Sequence, residues 1–199
     1  PLPEQCWDKK GHGKMNISSA IYNSCNLYFA SLHDKIDMEH YTRWFNDFTK
    51  SKKITMQLPA IKNRKEWSEL LAGLDFRTDI SDSDIMKLSK LIPNSYNSIP
   101  ADSAIIISDA LKKTYTDGTA KLKKNDSSVN CPLKMPDSDL WGKTGTVIAG
   151  TNSHHSYGLF TGGCGDIGIT TILRKGKGAD AAHLSLSLLK KHSFNTYSQ

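Results

Sequence analysis

An α+β fold is predicted for the 199-residue chain, with an antiparallel sheet flanked by helices and a helical region adjoining it. Three observations predict it. Apolar residues recur at helical spacing between Ile17 and Leu111; from Leu140 onward the period becomes extended; and a last helical stripe follows the final extended run. A chain of this length buries roughly 70 % of its unfolded surface, and 38 % apolar residues supply a core. Global disorder is excluded on that composition.

The opening, Pro1 to Asn16, carries Pro, Gly and Lys and predicts irregular backbone. Ile17, Ala20 and Ile21, then Tyr28, Phe29 and Leu32, predict two short helices with a bend at Ser24-Cys25-Asn26. Tyr41, Trp44, Phe45 and Phe48 predict a helix whose aromatic face is buried. Residues 50 to 67 mix Lys, Arg and Pro59 and are expected to form a loop or short strand. Ser81 to Asp84 has the form of a capping box ahead of Ile85, Leu88 and Ile92, with Pro93 ending that helix. From Pro100 another helix is expected, with Ile107, Ala110 and Leu111 on one side and Asp117-Gly118 closing it.

Residues 121 to 139 predict an exposed connection. Strands follow at Leu140 to Val147, Ser156 to Phe160 and Ile167 to Leu173, with Gly162, Gly163, Gly165 and Asp166 expected in the hairpin turn between the last two. Ala182, Leu186 and Leu189 mark a terminal helix ending in Lys190 and Lys191, charges that suit its C-terminal pole. The chain is expected to be a single domain portion over residues 1–199. Residues 1–120 form its mostly helical region, and 121–199 its connection, sheet and last helix.

A net charge of +6 and a pI near 9.1 admit nucleic acid, anionic lipid or an acidic polymer as partner. The basic groups lack the interleaved aromatic residues of single-strand readers, so no nucleic-acid partner is expected. No run of about 18 apolar residues occurs; a membrane would be reached only through an anchor upstream. The first residue is Pro1 and no leader precedes the fold, so a processed or truncated product is expected. Cys6, Cys25, Cys131 and Cys164 form no C-x-x-C pair, which argues against a closed zinc finger; two disulfides are permitted, in any of three pairings. The seven histidines show no ligand spacing on one helix. Neither metal nor cofactor is expected, and Cys6 beside Lys9 is not taken as a thiol nucleophile.

Two segments carry chemistry. In Trp141-Gly142-Lys143-Thr144-Gly145-Thr146 an extended Lys offers a fixed positive charge to a carboxylate, and two hydroxyls on one strand face add hydrogen bonds. Gly145 is expected where a ligand backbone comes close, and a strand edge can pair with an extended peptide. A plain strand with a glycine bulge is the competing reading. In Ser24-Cys25-Asn26, preceded by Gly11-His12-Gly13, a hydroxyl can relay a proton and an amide can hold a substrate amide. Helix capping is the competing reading there.

Together and in this order these elements resemble the penicillin-binding protein transpeptidases of high molecular weight, a family of serine acyltransferases. The resemblance covers nearly the whole chain and includes Asp117-Gly118-Thr119-Ala120 after a long helix. It implies a penicillin-binding/β-lactamase-like fold and a periplasmic or other extracytoplasmic place in the cell envelope. The implied partners are a peptidoglycan stem peptide and β-lactam antibiotics. It further implies catalytic roles for Ser24, as proton relay, and for Asn26, as holder of the substrate side chain. Lys143, Thr144 and Thr146 are similar to the positions that bind the terminal carboxylate, with the Thr146 N–H as half of an oxyanion hole.

The family's nucleophile motif, Ser-x-x-Lys, is expected upstream of Ser24, and the chain starts too late to hold it. Ser187-Leu188-Leu189-Lys190 matches the bare pattern after the strand motif, on a helix expected to pack against the sheet, and is not assigned a catalytic role. The parent is thus expected to be a serine-type D,D-transpeptidase or D,D-carboxypeptidase, and this chain alone inactive. The alternative is a non-catalytic transpeptidase-like binding or scaffold module.

Overall fold

The computed structural model describes residues 6–74, 81, 83–85, 87, 99–121, 140–148, 156–165 and 167–196. They belong to two compact units, Pro1–Ala20 with Cys25–Leu88, and Ile21–Ser24 with Ser89–Gln199.

Helix α1 (Ile17–Tyr22) starts where the Asn16 side chain accepts the Ser19 N–H at 2.9 Å and Ser19 Oγ accepts the Asn16 N–H at 3.0 Å. This reciprocal pair satisfies donors that the first turn leaves orphaned. In the first unit α2 (Asn26–Ser31) leads through a 3-10 turn, Leu32–Asp34, to α3 (Met38–Ser51) and α4 (Arg64–Leu71). On α3 the inward line is half-buried Tyr41 with buried Phe45 and Thr49, at i, i+4 and i+8. Trp44, expected inside, is 48 % exposed and stacks on Phe48 at 5.4 Å along the outer flank. Tyr41 meets the buried Trp67 of α4 edge-on at 5.2 Å, and Trp67 Nε1 donates to the Ile36 carbonyl at 3.3 Å.

The stretch expected to be loop through residue 67 turns helical at Arg64. Asn63 accepts the Glu66 N–H at 3.0 Å, and Glu66 Oε2 accepts the Lys62 N–H at 3.0 Å. That capping pair overrides the basic, proline-containing lead-in. Asn63→Ala should lower the stability of the chain by about 1 kcal/mol, measurable as a shift of the urea midpoint. Ser81 does cap as expected, its Oγ accepting the Asp84 N–H at 3.1 Å. Asp84 has no exposed surface; its carboxylate accepts from the Thr55 hydroxyl and N–H and from Lys87 Nζ, and these bonds, the Thr55 hydroxyl first, hold its pKa far below the usual range. Leu88, Ile92, Pro93 and the connection 122–139 lie outside the described residues.

In the second unit α5 (Ala101–Lys113) precedes an antiparallel sheet of order β1-β2-β3, made of β1 (Leu140–Ile148), β2 (Ser156–Cys164) and β3 (Ile167–Arg174), and closed by α6 (Gly178–Thr196). On α5, Ala110 and Leu111 are buried as expected, but Ile107 stays 37 % exposed; the helix packs through Ala104 and its C-terminal end, where Thr114 and Tyr115 continue the buried line. The register is unbroken from Leu140↔Cys164 to Ile148↔Ser156, so β1 contains no glycine bulge.

Gly162 and Gly163, expected in the hairpin turn, are strand residues of β2. The reason is steric. Phe160 is fully buried at the centre of the sheet, and a Cβ on Gly142 or Gly162, which face each other in register, would lie 2.3 Å from its ring tip. Tyr115 packs edge-on against Phe160 at 5.8 Å. From α6, Ala181, Ala182, Leu186 and Leu189 close the core, while Ser185 Oγ donates to Thr171 Oγ1 at 2.7 Å. Helix α6 runs past Lys190 and Lys191 to Thr196, because no Gly or Pro interrupts it. The two lysines therefore do not sit at its end.

Candidate active site

Ser24 owes its position to how α1 stops. The Cys25 N–H bonds to the Ala20 carbonyl at 3.0 Å and the Ser24 N–H to the Ile21 carbonyl at 3.1 Å, the hydrogen-bond pair of a Schellman ending. That ending needs a left-handed residue, and Ser24 takes it with φ 51°. Glycine usually fills this place at no steric cost. A serine held there carries a local backbone strain that glycine would not.

Around Ser24 the second unit assembles three segments. Gly118 lies against the end of α1, where a Cβ would sit 2.3 Å from the Tyr22 carbonyl oxygen, and the Thr119 N–H donates to that oxygen at 3.0 Å. Thr119 Oγ1 hydrogen-bonds Thr144 Oγ1 of β1. Next to it, Lys143 Nζ donates to Ser24 Oγ and to the Thr144 carbonyl at 2.8 Å. The turn Asp117-Gly118-Thr119 thus joins the serine segment to the lysine strand. Burial pushes the Lys143 ammonium down from its ordinary 10.5 to about 8, since a buried site disfavours the charged form.

The other expected site residues are placed as follows. Thr144 is buried and its hydroxyl is engaged by Thr119. Thr146 is exposed, and its Oγ1 accepts the Gly178 N–H at 2.9 Å, which leaves the hydroxyl proton free to be donated. Gly145 is not forced by crowding, for a Cβ there would touch Leu159 at an ordinary 3.6 Å. The glycine that close approach demands is Gly178, whose Cβ would lie 2.6 Å from the Gly145 carbonyl. Asn26 opens α2 and belongs to the first unit, whereas Ser24 belongs to the second. Ser187 is exposed on α6 with its hydroxyl donating to the His183 carbonyl at 3.0 Å.

Among the cysteines, Cys164 is disulfide-bonded, and Cys6 and Cys25 are thiols. Sequence reasoning missed that Cys6, His12 and Cys25 meet in the first unit, with ligand atoms within 4.8 Å of one another. Spacings of six and thirteen residues across a loop and a helix break match no familiar ligand pattern; the glycines on either side of His12 were the available hint of a fold-back. It is also Thr119, named from sequence only within Asp117-Gly118-Thr119-Ala120 and given no role there, that links Thr144 to the rest of the site.

A helix end, a glycine turn and an extended Lys-Thr-Gly-Thr edge thus converge on one serine. Comparison with known proteins gives the family: the penicillin binding protein transpeptidase domain matches residues 3–163, and the chain belongs to that family. A stretch of 54 residues is 33 % identical to the peptidoglycan D,D-transpeptidase MrdA of Acinetobacter baumannii, covering 27 % of this chain and 8 % of that protein. The transpeptidase domain of the FtsI4 D,D-transpeptidase from Legionella pneumophila superposes with a TM-score of 0.56 at 16 % identity, over 84 % of this chain and 65 % of that one. The chain therefore spans only part of the length of either relative, and the second likeness is one of fold.

Proposed function

We propose that this chain is the substrate-binding and proton-relay part of a peptidoglycan D,D-transpeptidase, acting on stem peptides that end in D-Ala-D-Ala. The observation that carries the reading is the hydrogen bond from Lys143 Nζ to Ser24 Oγ on the edge strand. In this mechanism the serine of a Ser-x-x-Lys motif outside these residues attacks the penultimate carbonyl while its lysine takes the proton. The Ser24 hydroxyl, oriented by Lys143, passes a proton to the departing D-Ala amine. Lys143 and the Thr146 hydroxyl grip the terminal carboxylate, the Thr146 N–H faces the developing oxyanion, and Thr144 ties the strand to the turn at Thr119. Asn26 holds a substrate side chain. The acyl group then passes to an amine or to water.

An extracytoplasmic place in the cell envelope agrees with a disulfide at Cys164, since such bonds persist in oxidising compartments. Among the described residues no helix is long and apolar enough to cross a membrane. β-Lactams are expected ligands because they carry a carboxylate at the corresponding position.

Titration of the chain with an N-acylated D-Ala-D-Ala peptide tests the reading. Binding should weaken as pH rises through about 8, where Lys143 loses its charge. Loss of fold does not explain that fall: a lysine whose folded pKa is lowered from 10.5 to about 8 adds relative stability as pH rises between those values. Lys143→Met should flatten the profile. Binding with no dependence on pH or on Lys143 would overturn the assignment.

A further inference from the structure

We propose that the groove between α3 and residues 54–61 takes an acidic, extended segment of a partner protein by β-strand addition. After α3 the chain reverses at Lys53, which is left-handed with φ 54°, and the Ile54 N–H donates to the Thr49 carbonyl at 2.9 Å. Residues 54–61 then form neither helix nor paired strand, yet their exposure alternates. Ile54 is buried, Met56 and Leu58 are half-buried, and Thr55 and Gln57 are exposed, the two-residue period of an extended chain with one side turned in. The run is fastened at its ends and open between them. The Thr55 N–H donates to the Asp84 carboxylate at 3.1 Å, and the Lys62 N–H to Glu66 Oε2 at 3.0 Å. Met56, Gln57 and Leu58 make no hydrogen bond among the described residues. Backbone groups left in this state are the ones an added strand pairs with; Pro59, which has no N–H, ends the run.

Alongside lies an open groove of about 910 Å³. Residues 54–61 all line it, exposed and half-buried alike, so it follows the edge of the backbone and not one side-chain face. The facing wall is one flank of α3, with Met38, Thr42, Asn46 and Thr49 at i, i+4, i+8 and i+11. The charge of the occupant follows from the rim. Lys50 lines the groove, Lys53 stands at the turn and Lys62 lies just past the far end of the run; none of the three forms an ion pair among the described residues. Glu39, the one acid on the lining, is already met by Arg43 at 3.7 Å. Cations at both ends with Met56 and Leu58 between them suit a peptide that alternates carboxylates with apolar side chains. A bilayer or a nucleic acid would also meet the lysines, but neither pairs with backbone groups inside a groove. No residue of the groove belongs to the candidate active site, so this binding is independent of the transpeptidase reading.

The test is the fluorescence anisotropy of a labelled octapeptide of alternating Glu and Val, titrated with the 199-residue chain; eight extended residues span roughly 25 Å, the length of the run. Expected is saturable binding at one peptide per chain. N-methylation of one set of alternate peptide amides should weaken it at least about tenfold and of the other set should not, because only one set faces the run. Asn46→Trp, at an exposed position on the groove wall, should fill the groove and weaken binding at least about tenfold. Lys50→Glu should lower both the affinity and its salt dependence, and far-ultraviolet circular dichroism should be unchanged in both variants. Binding indifferent to N-methylation and to Asn46→Trp would be charge attraction alone and would overturn the proposal. So would equal binding of an alternating Lys and Val octapeptide, or no binding up to about 1 mM peptide. Phosphatidylglycerol vesicles or an oligonucleotide that bind more tightly than the peptide, and lose that binding in Asn46→Trp, would assign the groove to themselves and overturn it too.

Discussion

Replacing Lys143 by Ala in a chain that also carries the nucleophile motif should slow acylation by a fluorescent penicillin by roughly 2 to 4 kcal/mol of barrier, about thirty- to nine-hundred-fold. Two losses combine. The Ser24 hydroxyl loses the donor that orients it, and the ligand carboxylate loses a cation on an edge strand. The vacated space is half-buried, so water replaces neither interaction fully. Lys143→Arg should recover little, because a planar guanidinium does not reproduce a compact ammonium that also reaches the Thr144 carbonyl at 2.8 Å. Stopped-flow labelling gives the rate, and circular dichroism separates it from misfolding. Labelling at the wild-type rate would refute the role proposed for Lys143. The 199-residue chain by itself should form no covalent adduct, and an adduct would expose a nucleophile elsewhere in it.

Gly162→Val should destabilise the chain by about 3 kcal/mol, toward the upper end of what overpacking costs. A Cβ at this position would lie 2.3 Å from both the Phe160 ring tip and the Trp141 carbonyl oxygen. Neither can move aside cheaply: Phe160 has no exposed surface and lies edge-on to Tyr115, and the Trp141 carbonyl is strand backbone. Chemical denaturation followed by near-ultraviolet absorption or fluorescence would measure the loss. A variant as stable as the parent would mean that the sheet does not close around Phe160 as described.

The strands were legible because Leu140 to Val147 and Ile167 to Leu173 are extended runs with Thr, Val and Ile set apart by Gly/Asn/Ser clusters, and the terminal helix because Ala182, Leu186 and Leu189 keep a clean stripe. Gly162 and Gly163 misled because a glycine pair commonly marks a turn, whereas here it makes room for aromatic rings that are visible only once strands are paired. The start of α4 was written in Asn63 and Glu66, three residues apart, but the Lys, Arg and Pro before them obscured it. Trp44 shows the limit of periodicity, since spacing places a residue on a face without saying how far that face is covered. For the candidate site, the residue types and order of Ser24 and Lys143 were legible; their hydrogen bond depends on a left-handed Ser24 and on Thr119 meeting Thr144, contacts between segments far apart in the chain. The meeting of Cys6, His12 and Cys25 escaped for the same reason.

Strand β1 lies at the edge of the sheet formed by the described residues, and its outward backbone groups are unselective: they can pair with another copy as readily as with a peptide. At low ionic strength the +6 charge keeps copies apart. Raising salt toward 1 M shrinks the Debye length to about 3 Å and removes that protection. Concentrated stocks of the chain should therefore be kept dilute in electrolyte, and the onset of turbidity with added salt becomes a simple reporter of whether that edge is occupied.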